Sequence, residues 1–189
     1  AIGPGYCIRT PLALTEYYLY AKDRNKTKAE EALRKAFLSR DAFMKNFRFN
    51  EKSAWFLHMP LVVQTECNFY KITGKKEYLD SARKYLKIIL DNIERCNRTG
   101  DWKNVELDSH YYPYAALGVP MRFALAYPDD PLVPEIKKAV RGYIDLEILP
   151  SVKGTTFGIL DARKKMEQGR TTNHTSIWQL GAASTMAVA

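Results

Sequence analysis

The chain has 189 residues, 46% of them hydrophobic and 26% charged, with ten glycines, nine prolines and a formal net charge of +8. That composition excludes a disordered chain, a collagen-like repeat and a low-complexity tail, and the length suits one domain or a large piece of one. No apolar run reaches the roughly 18 residues of a transmembrane helix.

Ala1 is not followed by a basic and then apolar leader, so no signal peptide is expected within these residues. Cys7, Cys67 and Cys96 are too few and too scattered for a disulfide framework or a zinc motif. Cys67, inside an apolar segment, is expected to be a small core residue. Asn-x-Thr sequons at Asn25, Asn97 and Asn173 favour a secreted or periplasmic location over a cytoplasmic one. The positive charge is uneven. Residues 22–52 hold ten Lys/Arg against five Asp/Glu, and residues 151–170 hold five against two. The first surplus reads as the solvated face of a helix and the second as a basic loop. No nucleic-acid motif accompanies either, so no nucleic-acid partner is expected.

In chain order, Thr10-Pro11 predicts a helix start, and the segment to about Arg24 is apolar on nearly every side, as a helix buried all round would be. Thr27-Lys28-Ala29-Glu30 fits a capping box. It opens an amphipathic helix to about Phe47, with Ala29, Leu33, Ala36, Phe37, Met44 and Phe47 on one stripe. Trp55 to Ile72 is again apolar on most faces, with Pro60 either near the first turn or kinking it, and Gly74 ending it. Tyr78, Ala82, Tyr85, Leu86, Ile89 and Ile93 mark the next amphipathic helix. Tyr114 to Tyr127 is apolar throughout, with Pro120 inside, and Ile136, Val140, Tyr143 and Ile144 stripe a further amphipathic helix ending near Pro150. Ser176 to Ala189 is apolar once more. Period-two runs flanked by hairpin turns are missing, so the fold class is all-α.

The order buried, amphipathic, buried, amphipathic is what inner helices wrapped by outer helices write into a sequence. It predicts antiparallel helical hairpins forming an (α/α) toroid or part of one, as a single domain over residues 1–189. The connections sort into short ones within pairs (Asn25-Lys26, Thr73 to Lys75, Pro128 to Pro131) and long ones between pairs (Arg48 to Ser53, Cys96 to Tyr112, Ser151 to Thr175). Long loops on a rigid scaffold usually carry function. All three tryptophans (Trp55, Trp102, Trp178) and all three histidines (His58, His110, His174) fall in those long loops or in the first turns they lead into. Such aromatic faces suit the C–H face of a sugar ring, which points to an oligo- or polysaccharide substrate. In the loop from Thr99, Asp101, Glu106 and Asp108 supply carboxylates for glycoside hydrolysis, and His110, Tyr111 and Tyr112 suit acid–base work. No spacing supports a metal site, and no cofactor is expected.

The second long loop ends Gln168-Gly-Arg-Thr-Thr-Asn-His-Thr-Ser-Ile-Trp. Asn173-His174 just before an apolar helix containing Trp178 resembles the Asn-His signature of toroidal polysaccharide lyases, the alginate lyase and heparinase-like group. The small-residue tail from Ile177 is similar in type to the helix that follows it there. The resemblance implies β-elimination at a uronate. Asn173 and His174 would neutralise the carboxylate, and His110, Tyr111 or Tyr112 would take the C5 proton. Trp55, His58, Trp102, Arg163, Lys164, Arg170 and Trp178 would bind substrate, the basic ones attracting a polyanion.

The favoured expectation is therefore a lyase of an acidic polysaccharide. A six-hairpin, family 9-like glycoside hydrolase is the alternative, and a non-catalytic sugar-binding module the second. Three helix pairs and a seventh helix make about half of a six-pair ring, and the last helix reaches Ala189 with no capping signal. This predicts a piece of a larger toroid, completed by a further domain or subunit.

Overall fold

The computed structural model describes residues 4–46, 59–99 and 118–148, and no strand occurs among them. The fold is all-α. Its helices are α1 (Pro4–Ala21), α2 (Lys26–Asn46), α3 (Met59–Thr73), α4 (Lys76–Thr99), α5 (Val119–Ala126) and α6 (Val133–Tyr143), with a π-helical turn, Ile144–Ile148, continuing α6. The short connections fall where the sequence puts them, between α1 and α2, α3 and α4, and α5 and α6. The chain comprises two compact units, Ala1–Leu86 and Lys87–Ala189, whose boundary lies inside α4.

In the first unit, α1 starts at Pro4, not at Thr10-Pro11. Both prolines suit a first helical position, and the earlier one holds it, which leaves Pro11 two turns inside with a buried ring. An interior proline costs a backbone hydrogen bond, an effect of about 3 kcal/mol that packing must offset. The helix is not buried all round. Ile8, Pro11, Leu12 and Thr15 form its buried stripe, whereas Arg9, Ala13, Glu16, Tyr17 and Tyr20 face solvent on the opposite side. Tyrosine tolerates that position because its ring is apolar and its hydroxyl is wet.

The turn after α1 is closed by N–H donation from Arg24 and Asn25 to the Ala21 carbonyl, at 2.9 and 2.8 Å. Asn25, not Thr27, caps α2, its Oδ1 accepting the Lys28 N–H at 3.1 Å. Asparagine outranks threonine as a cap, and Thr27 is left inside the first turn. Ala29, Ala32, Ala36 and Phe43 make the buried stripe of α2. Three alanines at that spacing allow α1 and α2 to approach closely, and the two pack extensively.

α3 is the helix that is buried on nearly every side, as its sequence predicts: among its residues only Lys71 is exposed. Pro60 is its second residue, where a missing N–H costs nothing, so it does not kink the helix. Gly74 ends it with φ +70°, the left-handed conformation that closes helices, and its N–H bonds the Tyr70 carbonyl at 2.8 Å. The first half of α4 then buries Tyr78, Leu79, Ala82, Tyr85 and Leu86.

The order in which these helices touch is informative. α1 packs on α3, with Asn68 Nδ2 donating to Thr15 Oγ1 at 3.1 Å. α2 meets the start of α4, where the Phe37 and Tyr78 rings lie 6.4 Å apart. In a square up-and-down bundle these two pairs are the diagonals, and both cannot be in contact. Here α1 lies on α3, while α2 reaches α3 through Arg40 and Glu66 and the start of α4 through Phe37 and Tyr78.

In the second unit, α4 and α6 face each other. Lys87 pairs with Glu135 and with Asp91 (2.7 Å), and Lys138 pairs with Glu94 at 2.6 Å. Asn97 Nδ2 donates to the Ala139 carbonyl at 3.1 Å. Residue numbers rise together along both helices, so the second helices of these hairpins also run parallel and adjacent. Hydrogen bonds to Asp91 and Glu135 hold the Lys87 ammonium above its ordinary pKa. Gly142 lets α6 close on Asn97, since a Cβ there would come within 2.5 Å of Asn97 Nδ2. The nitrogen that would carry a glycan at this sequon is thus engaged by α6. Ile89, Leu90, Ile93 and Cys96 continue the buried face of α4, and Val133, Ile136, Ala139, Val140 and Tyr143 supply that of α6. Both stripes agree with the sequence. α5 differs from expectation: Val119, Pro120 and Phe123 are buried, but Arg122, Leu125 and Ala126 are exposed.

Gly74 offers a direct check on the hairpin turn. No atom lies within 4 Å of the position a Cβ would occupy, so Gly74→Ala carries a conformational cost alone. The expected loss is about 1 kcal/mol, read as a lower urea midpoint at unchanged slope, with Gly74→Asn losing less.

Candidate functional site

The residues that the sequence nominates for chemistry occupy the segments between and after the hairpins. Trp55 and His58 lie in residues 47–58. Asp101, Trp102, Glu106, Asp108, His110, Tyr111 and Tyr112 lie in residues 100–117. Arg163, Lys164, Arg170, Asn173, His174 and Trp178 lie in residues 149–189. All of these are outside the described residues. Chain connectivity alone fixes their entry points. His58 immediately precedes α3, and Asp101 follows the last residue of α4 by two positions. The described helices contain none of the three histidines or three tryptophans.

Within the helices, one constellation of charge is buried. Glu66 on α3 is 1% exposed, the one charged residue between Met59 and Tyr70. Arg40 on α2 clamps it with two parallel bonds, Nε to Oε1 at 2.7 Å and Nη2 to Oε2 at 2.8 Å. The remaining guanidinium nitrogen, Nη1, donates to Asp41 Oδ1 at 3.1 Å. The guanidinium carbon lies 4.9 Å from the centre of the Tyr78 ring and 5.9 Å from that of Phe69. Phe69 stacks in turn on Tyr78 at 5.2 Å and contacts Phe37 at 4.7 Å. Every face of the guanidinium plane is used.

The electrostatics follow from that geometry. Burial opposes charge on Arg40, but the bonds to Glu66 outweigh it and raise the guanidinium above its ordinary pKa. Burial also raises the phenol of Tyr78, against the opposing pull of Arg40, and burial followed by the Glu66 charge raises that of Tyr85. Both phenols therefore stay protonated at neutral pH. A buried carboxylate with both oxygens bonded to a half-buried guanidinium, and two protonated phenols beside it, form a clamp. It joins α2 to α3 and α4 rather than presenting a reactive group.

Sequence reading missed this pair. Its one signal was Glu66 itself, a lone acid in an apolar helix, which demands a buried partner. Nothing in the sequence tells that the partner is Arg40. Among the described residues no group of three His, Cys, Asp or Glu side chains is placed to hold a metal ion, and no helix is long and apolar enough to cross a membrane. Cys67 is half-buried and Cys96 buried, and neither forms a disulfide.

No family model, no curated protein and no solved structure matches this chain.

Breaking the clamp from one side strands a buried charge, which typically costs 3–5 kcal/mol, whereas replacing both partners by apolar residues of similar volume is close to neutral. Glu66→Ala is expected to lose about 3 kcal/mol in urea unfolding. The double substitution Arg40→Met with Glu66→Leu is expected to recover most of that loss. If the double variant is as unstable as the single one, the clamp is not a self-contained pair.

Proposed function

We propose that this protein is carbohydrate-active, that its hairpins belong to an (α/α) toroid, complete or partial, and that it cleaves an acidic, uronate-containing polysaccharide by β-elimination. The observation that carries this reading is that corresponding helices of neighbouring hairpins lie side by side within each unit. In the first unit α1 lies along α3, and in the second unit α4 lies along α6. Repetition of that step builds a two-layered ring or solenoid, the scaffold shared by toroidal lyases. The resemblance of Asn173-His174 to the lyase signature selects the chemistry.

On this reading the ring gathers the long segments at the open ends of the hairpins, away from the short turns. The proton beside a uronate carboxylate is weakly acidic, and the developing enolate would add charge to a group already negative. Asn173 and His174 donate hydrogen bonds to that carboxylate and remove the penalty. One of His110, Tyr111 and Tyr112 takes the C5 proton and returns one to the leaving glycosidic oxygen. Trp55, Trp102 and Trp178 stack on sugar rings. His58, Arg163, Lys164 and Arg170 hold the flanking acidic groups. Asp101, Glu106 and Asp108 have no part in an elimination, although they would carry the reaction of a six-hairpin hydrolase.

β-Elimination leaves a C4–C5 double bond conjugated with the carboxylate, so cleavage is read as a rise in ultraviolet absorbance. Asn173→Ala and His174→Ala are each expected to lower kcat at least 100-fold, the usual order for a lost anion-stabilising donor. Asp101→Asn and Asp108→Asn are expected to leave the rate unchanged. Loss of reducing-end release on the carboxylate substitutions, with no absorbance change in the wild type, would make the protein a hydrolase. Sugar binding that depends on Trp102, with no cleavage by either assay, would leave a binding module.

A further inference from the structure

The surface of the first unit concentrates cations and aromatic rings at the tip of the α1/α2 hairpin. Every residue from Lys22 to Lys28 is exposed, and four of those seven are Lys or Arg against the single acid Asp23. The Ala21 carbonyl and the Asn25 cap fix the backbone of the tip, which keeps the bases of its cationic side chains close together. Lys26 has only a loose pairing with Glu30, 3.9 Å long with both ends largely in water. Tyr17 and Tyr20, 41% and 64% exposed, lead up to the tip along the solvent stripe of α1. Arg24 lies 4.3 Å over the Tyr20 ring and donates from Nη1 to the Tyr20 carbonyl at 2.7 Å, which fixes both side chains. The α3/α4 tip, at the same end of the unit, adds Lys71, Lys75 and Lys76 against Glu77, all exposed.

Like charges fixed side by side repel, and a polyanion laid across them relieves that repulsion and releases its own counterions. Which polyanion is decided by the neighbours. The tip carries no apolar side chain from Lys22 to Lys28 to enter a lipid surface, and no nucleic-acid motif surrounds it. Tyrosine rings on a rigid helix offer flat faces to the C–H side of sugars. We propose that the α1/α2 tip, through Tyr17, Tyr20, Lys22, Arg24, Lys26 and Lys28, is an auxiliary docking surface for an acidic polysaccharide. It lies at the opposite end of this hairpin from Asn46, the last residue of α2. The inference rests on the proposed lyase reading for the identity of the polymer, and it assigns a second contact that holds the chain while the site turns over.

The test is a titration of the whole protein with alginate, heparin and polygalacturonate over a range of salt, with neutral dextran and single-stranded DNA as comparisons. The triple reversal Lys22→Glu, Lys26→Glu and Lys28→Glu is expected to weaken polyuronate binding about tenfold or more and to flatten its salt dependence. Tyr20→Ala should weaken it several-fold at unchanged salt slope. A control reversal of equal charge, Arg98→Glu, Arg122→Glu and Lys137→Glu, should stay within about threefold of wild type. All these positions are exposed, and circular dichroism checks that each variant keeps its helices. Release of unsaturated product from a short uronate oligosaccharide, too short to make a second contact, should not change.

Equal losses from the tip and control reversals would mean that net charge alone attracts the polymer, and would overturn the proposal. Tighter, tip-dependent binding of DNA would reassign the surface to nucleic acid. A wild type that cleaves polyuronate with binding indifferent to the tip removes this inference and leaves the lyase reading standing. A wild type that neither binds nor cleaves any of the three polymers removes both.

Discussion

A carboxylate buried in an apolar helix organises the first unit. Glu66 sits on the most enclosed helix of the chain at 1% exposure, and such a group is tolerable only when its charge is met and its oxygens are bonded. Arg40 does both from the neighbouring hairpin, with its flat face against Tyr78. Three helices from two hairpins thereby share one junction. Hydrophobic stripes would hold α2, α3 and α4 together in many registers. The bidentate pair admits one.

The contact of α1 with α3 is what departs from a square four-helix bundle, where those two helices are diagonal. Apolar surfaces do not distinguish neighbours, and the same amphipathic stripes could close into a square. Because Arg40 must reach Glu66 while Phe37 reaches Tyr78, the second helix of the first hairpin lies along the second hairpin. Asn68 and Thr15 bring the two first helices together. In the second unit the same relation recurs through a different chemistry. Surface ion pairs of Lys87 and Lys138 and the close approach over Gly142 lay α6 along α4. Exposed pairs of this kind add little stability, but they select direction, since a reversed helix would set like charges together.

Agreement between sequence and structure is closest where a pattern records a single physical demand. α4 and α6 carry wide apolar stripes over a polar remainder, and their buried residues are the ones the period identifies. Gly74 ends α3 because no other residue accepts its φ without strain. Pro60 and Pro134 fall in first turns, where proline costs nothing. Agreement is poorest where tyrosine stands for an apolar residue. Tyr17 and Tyr20 made α1 look enclosed on every side, yet their hydroxyls let them face water. α5 was read as enclosed because small apolar residues surround Phe123, though Leu125 and Ala126 lie in solvent. Competing signals account for the remaining differences. Asn25 took the cap from Thr27, and Pro4 the helix start from Pro11.

The sequence by itself determined that the chain is all-α, that its helices come in pairs joined by short turns, and which faces of α3, α4 and α6 are buried. It also puts every histidine and tryptophan in the long segments between helix pairs or the first turns they lead into, positions outside the described residues. These are local properties, set by helical period, by proline and glycine stereochemistry, and by residue type. Tertiary structure decided which helices became neighbours, that Glu66 would find Arg40, and that cations from two hairpin tips would collect at one end of the first unit. Such outcomes depend on residues far apart in the chain meeting in space, and no local pattern encodes the meeting.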